Sequence, residues 1–328
     1  EYRQKMGDAL RPYRKNVYLQ GHIGAVLQKG QYLRSRDVKL CDEYIRDFLT
    51  RFHTDYIDLG MMHFIDTQED YDLAFGSEYI DYCQELKRRG VVRFLGASSH
   101  NAVTARKMGE TGLVGVLLFS INPAFDLLPG ETEIDDLLKE ELYEGRFAID
   151  PDRAALYRLC EEKGVGITVM KTLAAGRLLD AASSPFGVAL TPVQCIEYAL
   201  TRPAVAAVMV GCKSRAEIEA ALAWCGAPAA ERDYTAVMTG LERFSWRGHC
   251  MYCGHCAPCT AGIDIASVNK YYNLTLAQDE VPETVREHYN LLAHHASECI
   301  ACGRCQSNCP FGVDIVGRMQ LAAAKFGY

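Results

Sequence analysis

The chain has 328 residues, of which 49% are hydrophobic and 23% charged, a composition that excludes a disordered chain and allows a large buried core. The formal net charge of -7, without long basic runs, argues against a nucleic-acid partner and favours small molecules and protein partners. No apolar stretch reaches the roughly 20 residues that cross a bilayer, and no signal-like segment opens the chain. We therefore expect a cytoplasmic protein without a membrane partner.

Short apolar runs alternate with amphipathic helical segments after an opening helical segment, which suggests that the sequence begins partway through a fold. The predicted strands are 17–24, 56–64, 92–100, 115–122, 166–171 and 204–212. The predicted helices lie within 35–54, 77–90, 102–110, 150–164 and 191–202. This order predicts an α/β fold, and six units suggest a (β/α)8 TIM barrel whose first two strands are absent from this sequence. A doubly wound sheet is the alternative, but no G-x-G-x-x-G follows any visible strand.

Local signals support this segmentation and place a domain boundary. Asp150 and Thr191 each precede a proline, as helix caps do, and Ser214 with Glu217 predicts a capping box. Residues 123–149 are too long for an ordinary connection and are expected to form a substrate-binding β/α loop. Near residue 248 the pattern changes to cysteine clusters around a helical spacer, which predicts a barrel over 1–247 and a small, mainly helical domain over 248–328.

Polar residues recur where the predicted strands end. Barrel active sites lie at the carboxyl ends of the strands, so these residues form a candidate ring. A single strand-end histidine or serine is more often a cap than a catalyst, and the repetition is what favours a site. The ring comprises His22, His63, Ser98, Ser99, Asn122, Lys171, Cys212 and Lys213.

Four segments follow one another in the order and spacing of the aldo-keto reductases, which residues 1 to about 245 resemble. They are YIDLGMMHFID, VVRFLGASSH, GVGITVMKTLAAGRLL and VMVGCKSRAEIEAAL. The resemblance implies a barrel that reduces a carbonyl with NAD(P)H, in which His63 orients and polarises the substrate carbonyl. It also implies a nicotinamide site at Ser98, Ser99 and Asn122, a pyrophosphate site at Lys171, Thr172 and Leu173, and an adenosine-phosphate site at Cys212, Lys213, Ser214 and Arg215.

Two features bear on which nicotinamide and which proton donor are used. The basic pair Lys213 and Arg215 at a predicted helix N-terminus favours NADP(H) over NAD(H). The resemblance implies that the family's catalytic tyrosine and its partner aspartate would precede Glu1, and that His22 stands where the family's lysine is expected. Because histidine is not a fixed cation, an altered proton relay and a loss of reductase activity both remain open.

Two cysteine clusters end the chain. The first, CMYCGHCAPC, spaces its thiols as C-x2-C-x2-C-x2-C, and the second, CIACGRCQSNCP, as C-x2-C-x2-C-x3-C-P. This spacing predicts two [4Fe-4S] clusters, with structural zinc as the alternative. By resemblance to two-cluster ferredoxins, one cluster would be held by Cys250, Cys253, Cys256 and Cys309, and the other by Cys299, Cys302, Cys305 and Cys259.

The other cysteines and the nearby histidines are expected to play no part in metal binding. His249 and His255 are predicted to flank the first cluster without ligating it, since eight thiols complete two sites. Five scattered cysteines lie on apolar helical faces and are predicted core residues, namely Cys41, Cys83, Cys160, Cys195 and Cys225.

Three functions follow from these patterns. The leading hypothesis is an NAD(P)H-dependent carbonyl reductase acting on a small molecule, with two [4Fe-4S] clusters in a ferredoxin-like domain. The second is an iron-sulfur reductase that takes single electrons from a ferredoxin-type donor without nicotinamide, because no flavin motif is visible to convert hydride into single electrons. The third is a non-catalytic barrel stabilised by structural clusters.

Overall fold

The structure is a computed structural model that describes residues 2–28, 30–133, 136–137, 139–143, 149–235, 248–276 and 280–328. It divides into two compact units. The first unit comprises Glu1–Ser120, Gly130–Asp135 and Val165–Thr168, and the second comprises Ile121–Pro129, Asp136–Gly164 and Val169–Tyr328. Residues 236–247 lie outside the described residues, and the boundary near residue 248 stays a prediction.

The described strands include all six that were predicted. Their bounds are β1 Gln20–Ile23, β4 Ile57–Met62, β5 Val92–Ser99, β6 Val116–Ser120, β7 Gly166–Met170 and β8 Val205–Val208. In the first unit they are ordered β1-β4-β5-β6-β7, and the pairs β1-β4, β4-β5 and β5-β6 are parallel. In the second unit the end of β7 neighbours β8, where the Met209 amide donates to the Val169 carbonyl at 2.8 Å. This parallel α/β sheet confirms the predicted fold class.

The apolar runs at β4 and β6 form strands that are covered on both faces, whereas β8 is exposed or half-buried along its length. Every residue of β6 is buried, and β4 has one half-buried position among buried ones. An antiparallel hairpin of β2 Ala25–Gln28 and β3 Gln31–Arg34 follows β1 and was not predicted. All four residues of β3 are exposed, so this strand carries no alternating apolar signal.

Helices alternate with the strands, as predicted. Their bounds are α1 Tyr2–Leu10, α2 Val38–Arg51, α3 Gln68–Phe75, α4 Glu78–Arg88, α5 Ala102–Glu110, α6 Pro151–Lys163, α7 Pro192–Leu200, α8 Arg215–Leu222 and α9 Ala229–Arg232. The caps at Asp150 and Thr191 form as predicted. The box at Ser214 forms only in part, because the Glu217 carboxylate accepts from the Lys213 amide instead of the Ser214 amide.

The C-terminal region is mainly helical, as expected for a small iron-sulfur domain. Its helices are α10 Ile265–Thr275, α11 Glu283–Asn290, α12 Arg304–Asn308 and α13 Ile315–Phe326. The rings of Tyr289 and Phe326 stack with centroids 3.8 Å apart, which packs α11 against α13. Within the described residues, every helix is too short or too polar to cross a membrane.

Candidate functional site

Two histidines lie together at the carboxyl ends of neighbouring parallel strands. His22 is the third residue of β1 and His63 directly follows β4, and their ring centroids are 4.8 Å apart. The His63 carbonyl accepts from an Arg36 guanidinium nitrogen at 2.8 Å, which fixes the backbone at the strand end. The structure therefore brings both predicted catalytic histidines into one place.

Burial keeps both imidazoles neutral at pH 7. It lowers the pKa of His63 to about 4, with the charges of His22 and Arg36 adding to the effect, and it also lowers the pKa of His22. Among the described residues, neither His22 Nε2 nor His63 Nδ1 has a hydrogen-bond partner. A neutral imidazole carries one N–H donor, so His63 can polarise a carbonyl oxygen, whereas His22 supplies no fixed positive charge.

Ser98 and Ser99 lie at the end of β5 and are buried. The Ser98 hydroxyl accepts from the Phe64 amide at 2.8 Å, and the Ser99 hydroxyl donates to Asp66 at 3.0 Å. The same carboxylate accepts from the His100 amide and lies 3.0 Å from its Nδ1. Asp66 was not singled out from the sequence, although a carboxylate three residues after a strand-end histidine was the available signal.

Asn122 follows β6, and both polar atoms of its side chain form hydrogen bonds to backbone groups. Its amide nitrogen donates to the Lys171 carbonyl at 2.8 Å, and its oxygen accepts from the amides of Ala124 and Phe125. The residue is fully buried. Asn122 therefore fixes the backbone where Lys171 begins the next loop.

A cavity of about 580 Å³ opens where β7 and β8 end in the second unit. Residues 170–173 line one side and residues 209–213 the other, which brings together Lys171, Thr172, Leu173, Cys212 and Lys213 of the predicted cofactor set. Thr172 is 2% exposed, and its hydroxyl has no hydrogen-bond partner among the described residues. The lining also includes Glu217, and a buried hydroxyl without a partner in a cavity lined by two lysines fits a bound anionic cofactor better than an empty core.

Ser214 and Arg215 do not line this cavity. The Ser214 hydroxyl caps α8 by accepting from the Glu217 amide, and the 91% exposed Arg215 pairs with Glu219 at 2.7 Å. Ser214 therefore acts as a helix cap and Arg215 forms a surface ion pair, so neither lies in the predicted adenosine-phosphate site within this cavity.

The eight clustered cysteines form two groups, each around its own small cavity. One cavity is lined by Cys250, Cys253, Cys256 and Cys309. The other is lined by Cys259, Cys299, Cys302 and Cys305. This is the grouping that the resemblance to two-cluster ferredoxins implies, with the last cysteine of each motif in the other group.

The two cysteine loops repeat one backbone conformation. Tyr252 and Ala301, the residues before the second cysteines, have φ of 57° and 53°. Gly254 and Gly303, which follow those cysteines, have φ of 79° and 74°. Left-handed residues at equal positions turn successive amides toward one side, which is typical of loops that hold anionic groups.

The same repetition continues into the helices that follow. Asp264 caps α10 and Asp314 caps α13, each inside a matching tetrapeptide, GIDI over 262–265 and GVDI over 312–315. This pair of tetrapeptides was not singled out from the sequence, although it is the signal there that the domain is built from two similar halves.

Thiols are the donors that iron-sulfur clusters take, and the lining of each cavity supplies four of them. The His255 amide donates to the Cys253 sulfur and the Arg304 amide to the Cys302 sulfur, at equivalent loop positions. Burial raises the pKa of Cys253 to about 11 and that of Cys256 to about 12, so converging thiols here need a metal to become thiolates. His255 is 2.8 Å from Asp233, which occupies its Nε2.

The scattered cysteines divide into four buried ones and an exposed one. Cys41, Cys83, Cys160 and Cys195 are buried, as predicted. Burial raises the pKa of each of them to about 11 or 12, which leaves them unreactive. The prediction for Cys225 was wrong, because α8 buries no residue and the 3-10 turn after it leaves Cys225 exposed.

Family comparison decides the identity of the chain. The model of the aldo/keto reductase family matches residues 26–192, just over half of the sequence. The chain belongs to the aldo/keto reductase family. A second model, for a 4Fe-4S dicluster domain, matches residues 249–314, so this aldo/keto reductase also carries an iron-sulfur domain. It is therefore an oxidoreductase with a 4Fe-4S dicluster domain.

Known proteins agree with this assignment. The uncharacterized oxidoreductase YqkF of Bacillus subtilis (strain 168) is 24% identical over 217 residues, which are 63% of this reductase and 67% of YqkF. The holo form of aldo-keto reductase AKR11C1 from Bacillus halodurans superposes with a TM-score of 0.52 and 21% identity, over 74% of this chain and 78% of that one. The superposition shows that this reductase has the aldo-keto reductase fold.

Proposed function

We propose that the chain is an NADP(H)-dependent carbonyl reductase with two [4Fe-4S] clusters in its C-terminal domain. The observation that carries the cofactor proposal is the cavity of about 580 Å³ lined by Lys171, Lys213 and the unpartnered hydroxyl of Thr172. Two ammonium groups and a buried hydroxyl suit the phosphates of a dinucleotide. Membership of a family of oxidoreductases supports the reaction type.

In this proposal His63 is the catalytic residue that donates a hydrogen bond to the carbonyl oxygen of the substrate. Bound NADP(H) would supply a hydride to the carbonyl carbon. Because burial lowers the pKa of His63 to about 4, its imidazole stays neutral at pH 7 and can donate an N–H to the carbonyl oxygen as negative charge develops there. The ring centroid of His22 lies 4.8 Å from that of His63. His22 would take part in proton transfer at the position where the family's lysine is expected.

We further propose that Cys250, Cys253, Cys256 and Cys309 hold the first cluster and Cys259, Cys299, Cys302 and Cys305 the second. When bound, each cluster supplies single-electron transfer. Free buried thiols and reduced clusters suit a cytoplasmic location, with a small-molecule substrate and neither nucleic acid nor membrane as partner.

A second candidate function is an iron-sulfur reductase fed by a ferredoxin-type donor without nicotinamide. The observation that favours it is the exposure of the second loop, in which Cys302 is exposed and Ile300 is 63% exposed. An apolar, accessible edge beside a cluster is where a donor protein can approach closely.

The test uses the full protein assembled anaerobically with both clusters. We expect it to bind NADPH and to oxidise it with members of a carbonyl panel, and we expect His63→Gln to lower kcat with little change in NADPH affinity. Lys213→Gln should weaken NADPH binding about tenfold, or about 1.4 kcal/mol. Arg215→Gln is the matched control, because Arg215 does not line the cavity.

Two results separate the candidates. Absence of both NADPH binding and NADPH oxidation would reject the leading proposal. Cluster reduction by ferredoxin but not by NADPH, followed by turnover, would establish the second candidate.

A further inference from the structure

Arg202, which follows helix α7, is a buried cation that forms no salt bridge in the described part of the chain, although the charge of Asp126 attracts it. Arg202 is 1% exposed. Its hydrogen bonds go to neutral oxygens only, namely the Tyr198 carbonyl at 3.2 Å, Thr201 Oγ1 at 3.0 Å, Tyr234 Oη at 3.3 Å and the Met251 carbonyl at 2.8 Å. Its Nη1 is buried and has no hydrogen-bond partner among the described residues.

Asp126 already pairs with Arg153 and accepts hydrogen bonds from the Tyr157 and Tyr198 hydroxyls, so its charge offsets that of Arg202 only in part. Moving an ion out of water is expensive, and neutral oxygens offset only part of that loss. Stacking over the Tyr198 ring, 4.4 Å from its centroid, contributes further but is weaker than an ion pair. The unpartnered Nη1 therefore indicates that a negatively charged group belongs beside Arg202.

The first cysteine loop is the structure that Arg202 contacts. Met251, whose carbonyl it binds, lies between Cys250 and Cys253, and Tyr234 Oη donates to the same carbonyl at 2.7 Å. The guanidinium carbon is also 5.2 Å from the ring centroid of Tyr252. Arg202 is thus fixed against the loop that lines the first cysteine cavity.

A second cation approaches this loop from helix α13. Arg318 donates to the side chains of Asn269 and Asn273 and lies 5.1 Å from the ring centroid of Tyr272. Asn273 in turn donates to Tyr252 Oη at 2.8 Å, which connects Arg318 to the same loop. The second loop carries a basic residue of its own, Arg304, which is exposed.

We propose that Arg202 is the counter-ion of the first iron-sulfur cluster and holds its reduction potential above that of the second. The inference rests on the proposed ligand group of Cys250, Cys253, Cys256 and Cys309. Four thiolates outweigh the charge of the iron-sulfide core, so the cluster is anionic and becomes more so on reduction. A buried cation therefore stabilises the reduced state, whereas water screens the exposed Arg304.

An order of electron transfer follows. An electron delivered at the exposed Cys302 edge would pass from the second cluster to the first and remain there, because the first has the higher potential. Arg202 accordingly acts on the first cluster through its charge.

The test is an anaerobic redox titration of the full protein with dithionite as reductant, followed by electron paramagnetic resonance. Arg202→Gln removes the charge but keeps an N–H that can donate to the Met251 carbonyl. We expect the reduced-to-oxidised ratio of one cluster to fall at least tenfold at a fixed potential, a shift of about 59 mV for a one-electron couple. Cys302→Ser identifies the signal of the second cluster, which should not move.

Two variants serve as controls. Arg202→Lys keeps the charge and should shift the potential much less than Arg202→Gln. Arg304→Gln removes an exposed cation and should leave both potentials nearly unchanged. Equal shifts in Arg202→Lys and Arg202→Gln would overturn the proposal, because they would point to packing instead of charge.

The remaining outcomes distinguish this inference from the ligand assignment. Full iron content with unchanged potentials in Arg202→Gln rejects the role of Arg202 alone. Full iron content in Cys250→Ser rejects the ligand grouping instead. If Arg202→Gln does not assemble its clusters, Arg318→Gln must shift the same signal to more negative potential, and an unmoved signal there also overturns the proposal.

Discussion

At the scale of single residues, His22 and His63 are both largely buried, and each has a ring nitrogen without a hydrogen-bond partner among the described residues. A histidine that replaces a lysine at a strand end could have been charged, but burial lowers the pKa of His22 and lowers that of His63 to about 4. Both rings are therefore neutral donors or acceptors near pH 7. This favours polarisation of a carbonyl over attraction of an anion at the histidine pair.

The depressed pKa of His63 makes stability depend on pH in a defined direction. Its ordinary value is 6.5 and its folded value about 4, so the unfolded chain binds a proton more readily between these values. We expect the free energy of unfolding to fall as the pH drops from about 6.5 to 4, by on the order of 2 kcal/mol from this group. Denaturant titrations across this range measure the slope.

Substitution tests the origin of that slope. His63→Gln should flatten it, and the double variant with His22→Gln should flatten it further, because the pKa of His22 is lowered in the same direction. A double variant with the slope of the unsubstituted protein would show that other groups control the acid response.

At the scale of elements, the crossing of α1 over α2 depends on a glycine. A Cβ added at Gly7 would lie 1.9 Å from the Arg51 carbonyl oxygen and 2.9 Å from the Phe52 Cα, both backbone atoms that cannot move aside. We expect Gly7→Ala to destabilise the protein by about 1–3 kcal/mol, although alanine favours helix. Denaturant unfolding measures the change.

The matched control is Gly115→Ala, where an added Cβ meets no heavy atom within 4 Å. Its effect on unfolding should be small. Equal stability of Gly7→Ala and the unsubstituted protein would mean that α1 does not pack closely on α2 in solution.

The sequence predicted elements well where burial leaves a periodic signal and poorly elsewhere. The sheet strands are apolar, and β4 and β6 are almost wholly buried, so each of the six was found within a few residues. The β2-β3 hairpin was missed because β3 is fully exposed, and Cys225 was misplaced because α8 has no buried face. The grouping of the cysteines was implied by the resemblance of their motifs to those of two-cluster ferredoxins, whereas Asp66 acts through hydrogen bonds that no spacing rule records.

At the scale of the whole molecule, metal content tests the proposed ligand groups. Cys302→Ser removes one ligand of the second cluster, and we expect roughly half of the iron and sulfide to be lost, since each of two clusters holds an equal share. Cys225→Ser is the control, because Cys225 is exposed and lies outside both groups.

Metal analysis of the anaerobically purified protein gives the answer. Iron without zinc supports the clusters over structural zinc. Unchanged iron in Cys302→Ser, or equal loss in Cys225→Ser, would contradict the assignment of Cys302.

The paired halves of the C-terminal domain have a consequence for its ancestry. With the proposed ligand groups, Cys259 and Cys309 each serve the cavity of the opposite half, so a lone half would lack one ligand for its own site. A single ancestral half, with the shared turn and the capping aspartate of GIDI and GVDI, would have needed a second copy of itself to complete either site. Two separate copies would have formed a dimer only at sufficient protein concentration. Fusion of the two copies in one gene would have removed that dependence.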